Sequence, residues 1–395
     1  MKPDRTVPAA LFGSSIAIVI LSVTLLPFFG IRANRTATGV GAVLFLVSPR
    51  AAVTIAGSLV AALAGFLLRR WKFPRVGGFA ALCAVLPLSF MALASGARII
   101  LATQPPQARV SFGLGFLVLL LALYGALASY ALVFRSGSAR ALELAFLAAL
   151  GAAVVLSATG ALDGLSIVRE FSNRRATFLA EAVRHGVYAA GTTTAALLIA
   201  LPLGYASAKS RFWERPVFFL ANTAQAVPTL SLLGLLIVPL SLLGSSVPAL
   251  AAIGVRGVGW APAFIVLFLY ALLPIAANAQ AGFRTIEPAA LDAALGMGMT
   301  RVEGFFRVEL PLALPAIIAG FRTALTQNLG NAVLAGLIGG GGLGSLIFLG
   351  LAQAAPDLIL LGSLPVVAAV FASDRLMAAL ERSALHRAGL QGVRA

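Results

Sequence analysis

Few residues of this chain are of types that do covalent chemistry. Among 395 residues there are two histidines and one cysteine. His185 and His386 lie far apart, at the edges of apolar stretches, and read as solvated or interfacial residues rather than metal ligands. Cys83 sits alone in an apolar stretch, so it can close no internal disulfide and build no thiolate metal site; it reads as a packing residue. No carboxylate pair, histidine cluster or Ser/His/Asp grouping suggests catalysis. The lysines Lys2, Lys72 and Lys209 follow Met, Trp and Ala, so no GxxxxGK[ST] phosphate loop is present. What remains is a set of polar side chains inside apolar stretches. Asn222, Gln225 and Thr229 fall at i, i+3 and i+7, one face of a continuous helix. Gln327 and Asn331 are four apart, with Thr326 and Asn328 beside them and Arg322 just before. At membrane depth such groups mark solute pathways or tie helices together. A neutral polar lining is compatible with a zwitterionic or cationic solute.

A second pattern is RTIEPAALDAALGMGMTRVEGFFRVELPLALP, Arg284 to Pro315. Pro288 suits a first helical turn, where its missing N–H costs nothing. Ala289 to Leu295 are good helix formers. Gly296 and Gly298 allow a stop, one of them in the left-handed position after the helix. Thr300 with Glu303 fits a capping box that starts a second helix, which runs to about Glu309 and meets Pro311. The spacing predicts a helix–turn–helix with small side chains (Ala289, Ala290, Ala293, Ala294), a surface that lets another protein come close.

The elements that must position these residues are set by composition. Sixty per cent of the chain is hydrophobic, 11% is charged and the mean hydropathy is +0.99, against about 25% charged in soluble domains. That excludes a soluble enzyme, a disordered chain and a fibrous one, and leaves a protein with several membrane spans. Ten stretches are long enough: Pro8–Phe29, Ala51–Leu68, Gly77–Ser95, Phe112–Phe134, Ala141–Leu162, Val187–Ala206, Pro216–Leu243, Gly259–Gln280, Leu312–Leu334 and Leu358–Leu380. The net charge of +16 reads as the positive-inside bias of loops, with both termini in the cytoplasm. No basic run resembles a nucleic-acid tail. The longest polar connection, 163–185, divides an accessory bundle (1–162, about five spans) from a core (186–382, about five spans). The core carries the 284–311 loop inside the cell and ends in a cytoplasmic tail, 383–395.

Asp292-Ala293-Ala294, three residues, Gly298, nine residues, Val308, Glu309, Leu310-Pro311 resembles the E-A-A loop of binding-protein-dependent ABC importer permeases, with Asp for Glu and Val for Ile. Pro202-Leu203-Gly204 ends the first core span as it often does in such permeases, and Ala226–Leu236 and Arg322–Leu351 are similar to the osmoprotectant branch, which imports glycine betaine, choline, carnitine or proline betaine. The resemblance implies an all-α membrane protein with a type I permease core behind an accessory bundle, in a bacterial inner membrane. It implies that the loop, through Glu287, Asp292, Ala293, Ala294, Gly298, Leu310 and Pro311, seats in an ATPase subunit. It further implies an extracytoplasmic solute-binding protein and a second permease subunit, identical or paralogous. ATP and Mg would be bound by the ATPase partner, with no cofactor on this chain. Asn222, Gln225, Thr229, Arg322, Gln327, Asn328 and Asn331 are candidates for the translocation pathway.

Two other readings keep their place. A permease for methionine or another amino acid would have the same architecture. An ion-coupled secondary transporter would need no ATPase, but acidic residues in mid-span are scarce, Glu143 and Asp374 lying near span ends. A four-glycine run, Gly339–Gly342, with Gly344 nearby, is either a flexible approach for a binding protein or a re-entrant turn.

Overall fold

The computed structural model describes residues 6–34, 37–68, 72–134, 151 and 155–389. Most of the expected span Ala141–Leu162, with Glu143, Arg135 and Arg140, lies outside the described residues, as do Arg69, Arg70 and the end of the tail. Among the described residues eight helices are long and apolar enough to cross a membrane. The chain forms two compact units, one of residues 1–173 with Gln353–Asp357, the other of 174–352 with 358–395.

The first unit contains α1 (Thr6–Thr24), α2 (Pro49–Leu67), α3 (Lys72–Leu101), α4 (Leu114–Phe134) and the short α5 (Ser166–Asn173). It also holds a three-stranded antiparallel sheet in the order β2 (Val40–Val43), β1 (Pro27–Arg32), β3 (Arg109–Phe112), so the unit is mostly rather than wholly helical. The expected first span ran to Phe29, but the helix stops at Thr24. Pro27 cannot donate to a helical ladder and opens β1 instead. Gly30 and Gly41 face each other across the sheet. A Cβ on either would sit 2.6 Å from Ser111 Oγ or 2.5 Å from Pro27 Cβ, so only glycine lets the strands close. Large rings fill the core: Phe12 stacks on Phe66 at 4.3 Å, and Tyr130 meets Phe12 edge-on at 5.5 Å. Asp357 is buried, near Ser166, Arg32, Arg109 and Glu170, and Arg109 pairs with Glu170.

The second unit runs α6 (Arg175–Lys209), α7 (Arg211–Ala226), α8 (Thr229–Ser246), α9 (Trp260–Arg284), α10 (Pro288–Gly296), α11 (Arg301–Gly304), α12 (Leu310–Asn331), α13 (Gly344–Ala352) and α14 (Pro356–Arg387). Helices α6, α9 and α12 meet along small residues: Ala196, Ala200, Ala271, Ala276 and Ala324 are buried together. A Cβ on Gly204 would lie 2.7 Å from Ala279 Cβ, and one on Gly282 would lie 2.8 Å from Ala316 Cβ. Without a hydrophobic drive between helices in lipid, such close backbone approach supplies the attraction. Pro202, Pro274 and Pro315 sit inside these helices, as membrane helices tolerate. The single helix expected over 216–243 is broken at Val227–Pro228, where Val227 is extended (ψ 128°). Proline forces its predecessor out of the helical region.

Candidate functional site

The Arg284–Pro315 segment folds as a tight loop. Pro288 takes the first turn of α10 behind Glu287, an exposed residue at the helix start. Gly298, at φ +86°, turns the chain left-handed after the helix, and its N–H donates to the Leu295 carbonyl (2.9 Å). The Thr300 side chain caps the Glu303 N–H while the Glu303 carboxylate accepts from the Thr300 N–H at 2.9 Å, the reciprocal capping box. The second helix does not end at Pro311. A π-helical turn, Phe305–Glu309, carries it straight into α12. Pro311 lacks an N–H and its ring crowds the preceding turn, and a widened turn absorbs both. Val308 and Leu310 are half-buried there, and Pro311 is exposed.

The surface this loop offers is only partly the expected one. Ala289, Asp292, Ala293 and Gly298 are exposed, but Ala294 points inward at 1% exposure. One face of α10 must close on α11, where Leu291 lies over Gly304, and Ala294 belongs to that face. Leu295, Met297, Val302 and Phe306 are exposed instead.

Both roots of the loop are fastened to the end of α6. Gln280 and Arg284 donate to the Ser207 carbonyl at 3.1 and 3.3 Å, and Arg284 pairs with Glu214 at 2.9 Å. That guanidinium holds the Glu214 carboxyl below the usual carboxylate range. At the other root Glu309, 2% exposed, pairs with Lys209 and accepts from the Tyr205 hydroxyl at 3.0 Å. Glu309 occupies a position where the family pattern accepts any residue, so motif reading passed over it. The signal available was a carboxylate flanked by Val308 and Leu310.

The polar residues of the spans divide into two sorts. Thr229 and Asn331 line one small cavity with Leu233, Ala263, Val266 and Leu267. Thr229 reaches it as the first residue of α8, not by sharing a helix face with Asn222 and Gln225. Asn222 is exposed and donates to its own helix at Phe218 (2.7 Å), while Gln225 donates to the Tyr270 carbonyl at 2.8 Å. Asn328 is fully buried. Its amide donates to Thr192 Oγ1 (2.9 Å), Thr193 Oγ1 (3.1 Å) and the Leu267 carbonyl (3.1 Å). Both threonine hydroxyls already give their protons to helix carbonyls, so they accept here. Asn328 thus ties α6, α9 and α12 together, as interhelical amides do in membranes. Arg322 donates to Asp374 (2.7 Å) and Glu381 (3.2 Å) on α14, so its partner is that helix. Gln327 is exposed.

The glycine run is a tight, buried hairpin. A 3₁₀ helix, Ala332–Ile338, turns through Gly339 (φ +72°) back into α13. A Cβ on Gly336 would lie 2.3 Å from Gly344 carbonyl carbon, and one on Gly344 1.8 Å from the Val333 oxygen; only bare backbone fits. Gly340 to Gly344 are buried, held by the Tyr188 hydroxyl on the Gly340 carbonyl and by the Gly342 N–H on Glu181. His185 is buried, not solvated: α6 begins ten residues before it, and its Nε2 lies 2.9 Å from the Leu329 carbonyl. His386 is exposed.

Helices long and apolar enough to cross a membrane, joined by a capped helix–turn–helix loop and tied by a few buried polar side chains, place the chain in the class of integral membrane proteins. Residues 200–386 match the family "Binding-protein-dependent transport system inner membrane component", and residues 11–168 match "ABC transporter permease YehY, N-terminal domain". The glycine betaine/carnitine/choline transport system permease protein OpuCB of Bacillus subtilis is 36% identical over 198 residues, 50% of this chain and 83% of that one. The osmoprotectant import permease protein OsmW of Salmonella typhimurium is 33% identical over 186 residues, 47% of this chain and 81% of that one. A chain of the inward-facing MetNI methionine ABC transporter aligns over 51% of this chain and 95% of its own at 22% identity and a TM-score of 0.42. The chain belongs to the binding-protein-dependent ABC transporter permeases. It is a permease subunit and not itself an ATPase.

Proposed function

We propose that this chain is the membrane subunit of an ATP-driven importer for quaternary-ammonium osmolytes of the glycine betaine, choline and carnitine class. The observation that carries the coupling role is the 284–311 loop: a capped, rigid turn presenting Asp292, Ala293, Gly298 and the apolar Leu295, Met297 and Phe306. Glu287 supplies negative charge at the start of α10 and Asp292 at its middle, Ala293 permits close approach, and Leu310 with Pro311 set the root. ATP and Mg are handled by the docked ATPase. The type I core, 186–382, of about five spans follows an accessory bundle of about five spans, about ten in all, with both termini in the cytoplasm of a bacterial inner membrane. A second permease subunit and an extracytoplasmic binding protein complete the assembly. The solute class rests on the relatives whose names give betaine, choline or carnitine transport.

The test is reconstitution in vesicles with the cognate ATPase and binding protein. ATP-dependent uptake of labelled choline or glycine betaine, with methionine not competing, is expected. Uptake of methionine alone would overturn the solute class. Uptake by the chain alone, driven by an ion gradient, would overturn the permease reading.

A further inference from the structure

Helix α6 touches both working ends of the permease unit. At its C-terminal end it holds the two roots of the docking loop: Ser207 accepts from Gln280 and Arg284, while Tyr205 and Lys209 hold Glu309. The Tyr205 ring meets Phe283 just before the loop and Phe305 near its end, each at 4.9 Å and edge-on. At its other end Glu181 and Tyr188 hold the glycine hairpin. Both ends lie on one continuous helix, with Glu181 and Lys209 about 42 Å apart at the helical rise of ~1.5 Å per residue. Glu309 is the least replaceable part of this arrangement. A buried carboxylate stripped of its cation is strongly unfavourable, so the loop root and the end of α6 separate only at high cost. Given the permease reading, on which this rests, we propose that α6 is a lever between the ATPase and the outer hairpin, and that Glu309 is the positioning residue that pins the docking loop to it. The loop then moves with α6 as one body, the kind of rigid displacement that switches transporters, and Asn328 is where that motion crosses into α9 and α12.

The experiment uses the full complex in proteoliposomes, with labelled choline as probe and solute imported per ATP hydrolysed as readout. Glu309→Gln and Lys209→Met each lower this ratio at least tenfold, while the ATPase still co-purifies and hydrolyses ATP. The double swap Lys209→Glu with Glu309→Lys recovers at least half of it, a rescue that a merely space-filling role would not give. An unchanged ratio in both single variants overturns the proposal. So does loss of ATPase co-purification, which would make the pair part of the docking surface, and so does a swap that recovers nothing. Absence of ATP-driven uptake in the unaltered complex would instead be a failure of the permease reading.

Discussion

The two units bury different kinds of side chain. The first closes on Phe12, Phe28, Phe29, Phe66, Phe116 and Tyr130, rings that interlock at fixed angles. In the second, α6, α9 and α12 meet on alanines and glycines, with one ring cluster, Tyr205, Phe283 and Phe305, at the loop root. Interlocked rings must repack if anything moves, whereas smooth small-residue faces can shift against each other with little repacking. We infer from this that the accessory unit is the stiffer and that the small-residue seam, in the unit with the 284–311 loop and Asn328, is where helices can shift.

The largest expected effect tests the ringed core. Phe29 is fully buried, its ring against Gly96, and Phe29→Ala should cost about 3–5 kcal/mol, read as a fall in the unfolding midpoint in detergent. No fall would mean that the rings do not stiffen that unit. Next comes the seam. In Gly282→Leu the new side chain starts 2.8 Å from Ala316 Cβ and 3.1 Å from the Ala313 carbonyl, overpacking worth about 1–3 kcal/mol, and uptake should be lost. Gly57→Leu in α2, with nothing within 4 Å of its Cβ, should leave the midpoint where it was. Normal uptake by Gly282→Leu would show a looser seam than the distances give. Third, Gly298→Val forces a β-branched residue to φ +86°, a strain of about 1–2 kcal/mol. Because Gly298 is exposed, uptake per ATP should fall with little change in the midpoint.

Local chemistry was legible in advance where it depends on neighbours in sequence. Pro288, Gly298 and the Thr300–Glu303 box each do in the structure what their types require, because caps and turns are settled within a few residues. The sheet was not legible, since hydropathy cannot tell β1 from the end of a span; Pro27 was the missed signal. Pro228 was a similar one, and reading across it put Thr229 on the wrong helix. The inward turn of Ala294 and the burial of His185 depend on which face meets a distant helix. Glu309 was hidden most completely: its partners lie about a hundred positions away, at Tyr205 and Lys209.

The smallest expected effect separates the two regions by their charges. In the first unit Glu170 pairs with Arg109 at 4% side-chain exposure; at the loop root Glu214 pairs with Arg284 at 31% and 44%. Arg284 lowers the Glu214 pKa, so the folded state favours the carboxylate. The pair's stabilisation is present above the unfolded carboxylate range, and it is lost as pH falls through the lower folded value. A titration of the unfolding midpoint downward from neutral should therefore show a small acid-side loss that Glu214→Gln removes. Salt decides the matter. The screening length shrinks from about 30 Å at 0.01 M to about 3 Å at 1 M, so the difference between the two proteins should vanish at high salt if the pair is as exposed as its geometry makes it. A difference that survives 1 M salt would put Glu214 in a sheltered network like that of Glu170, and the contrast between the buried Arg109–Glu170 pair and a solvent-screened Arg284–Glu214 pair would fail.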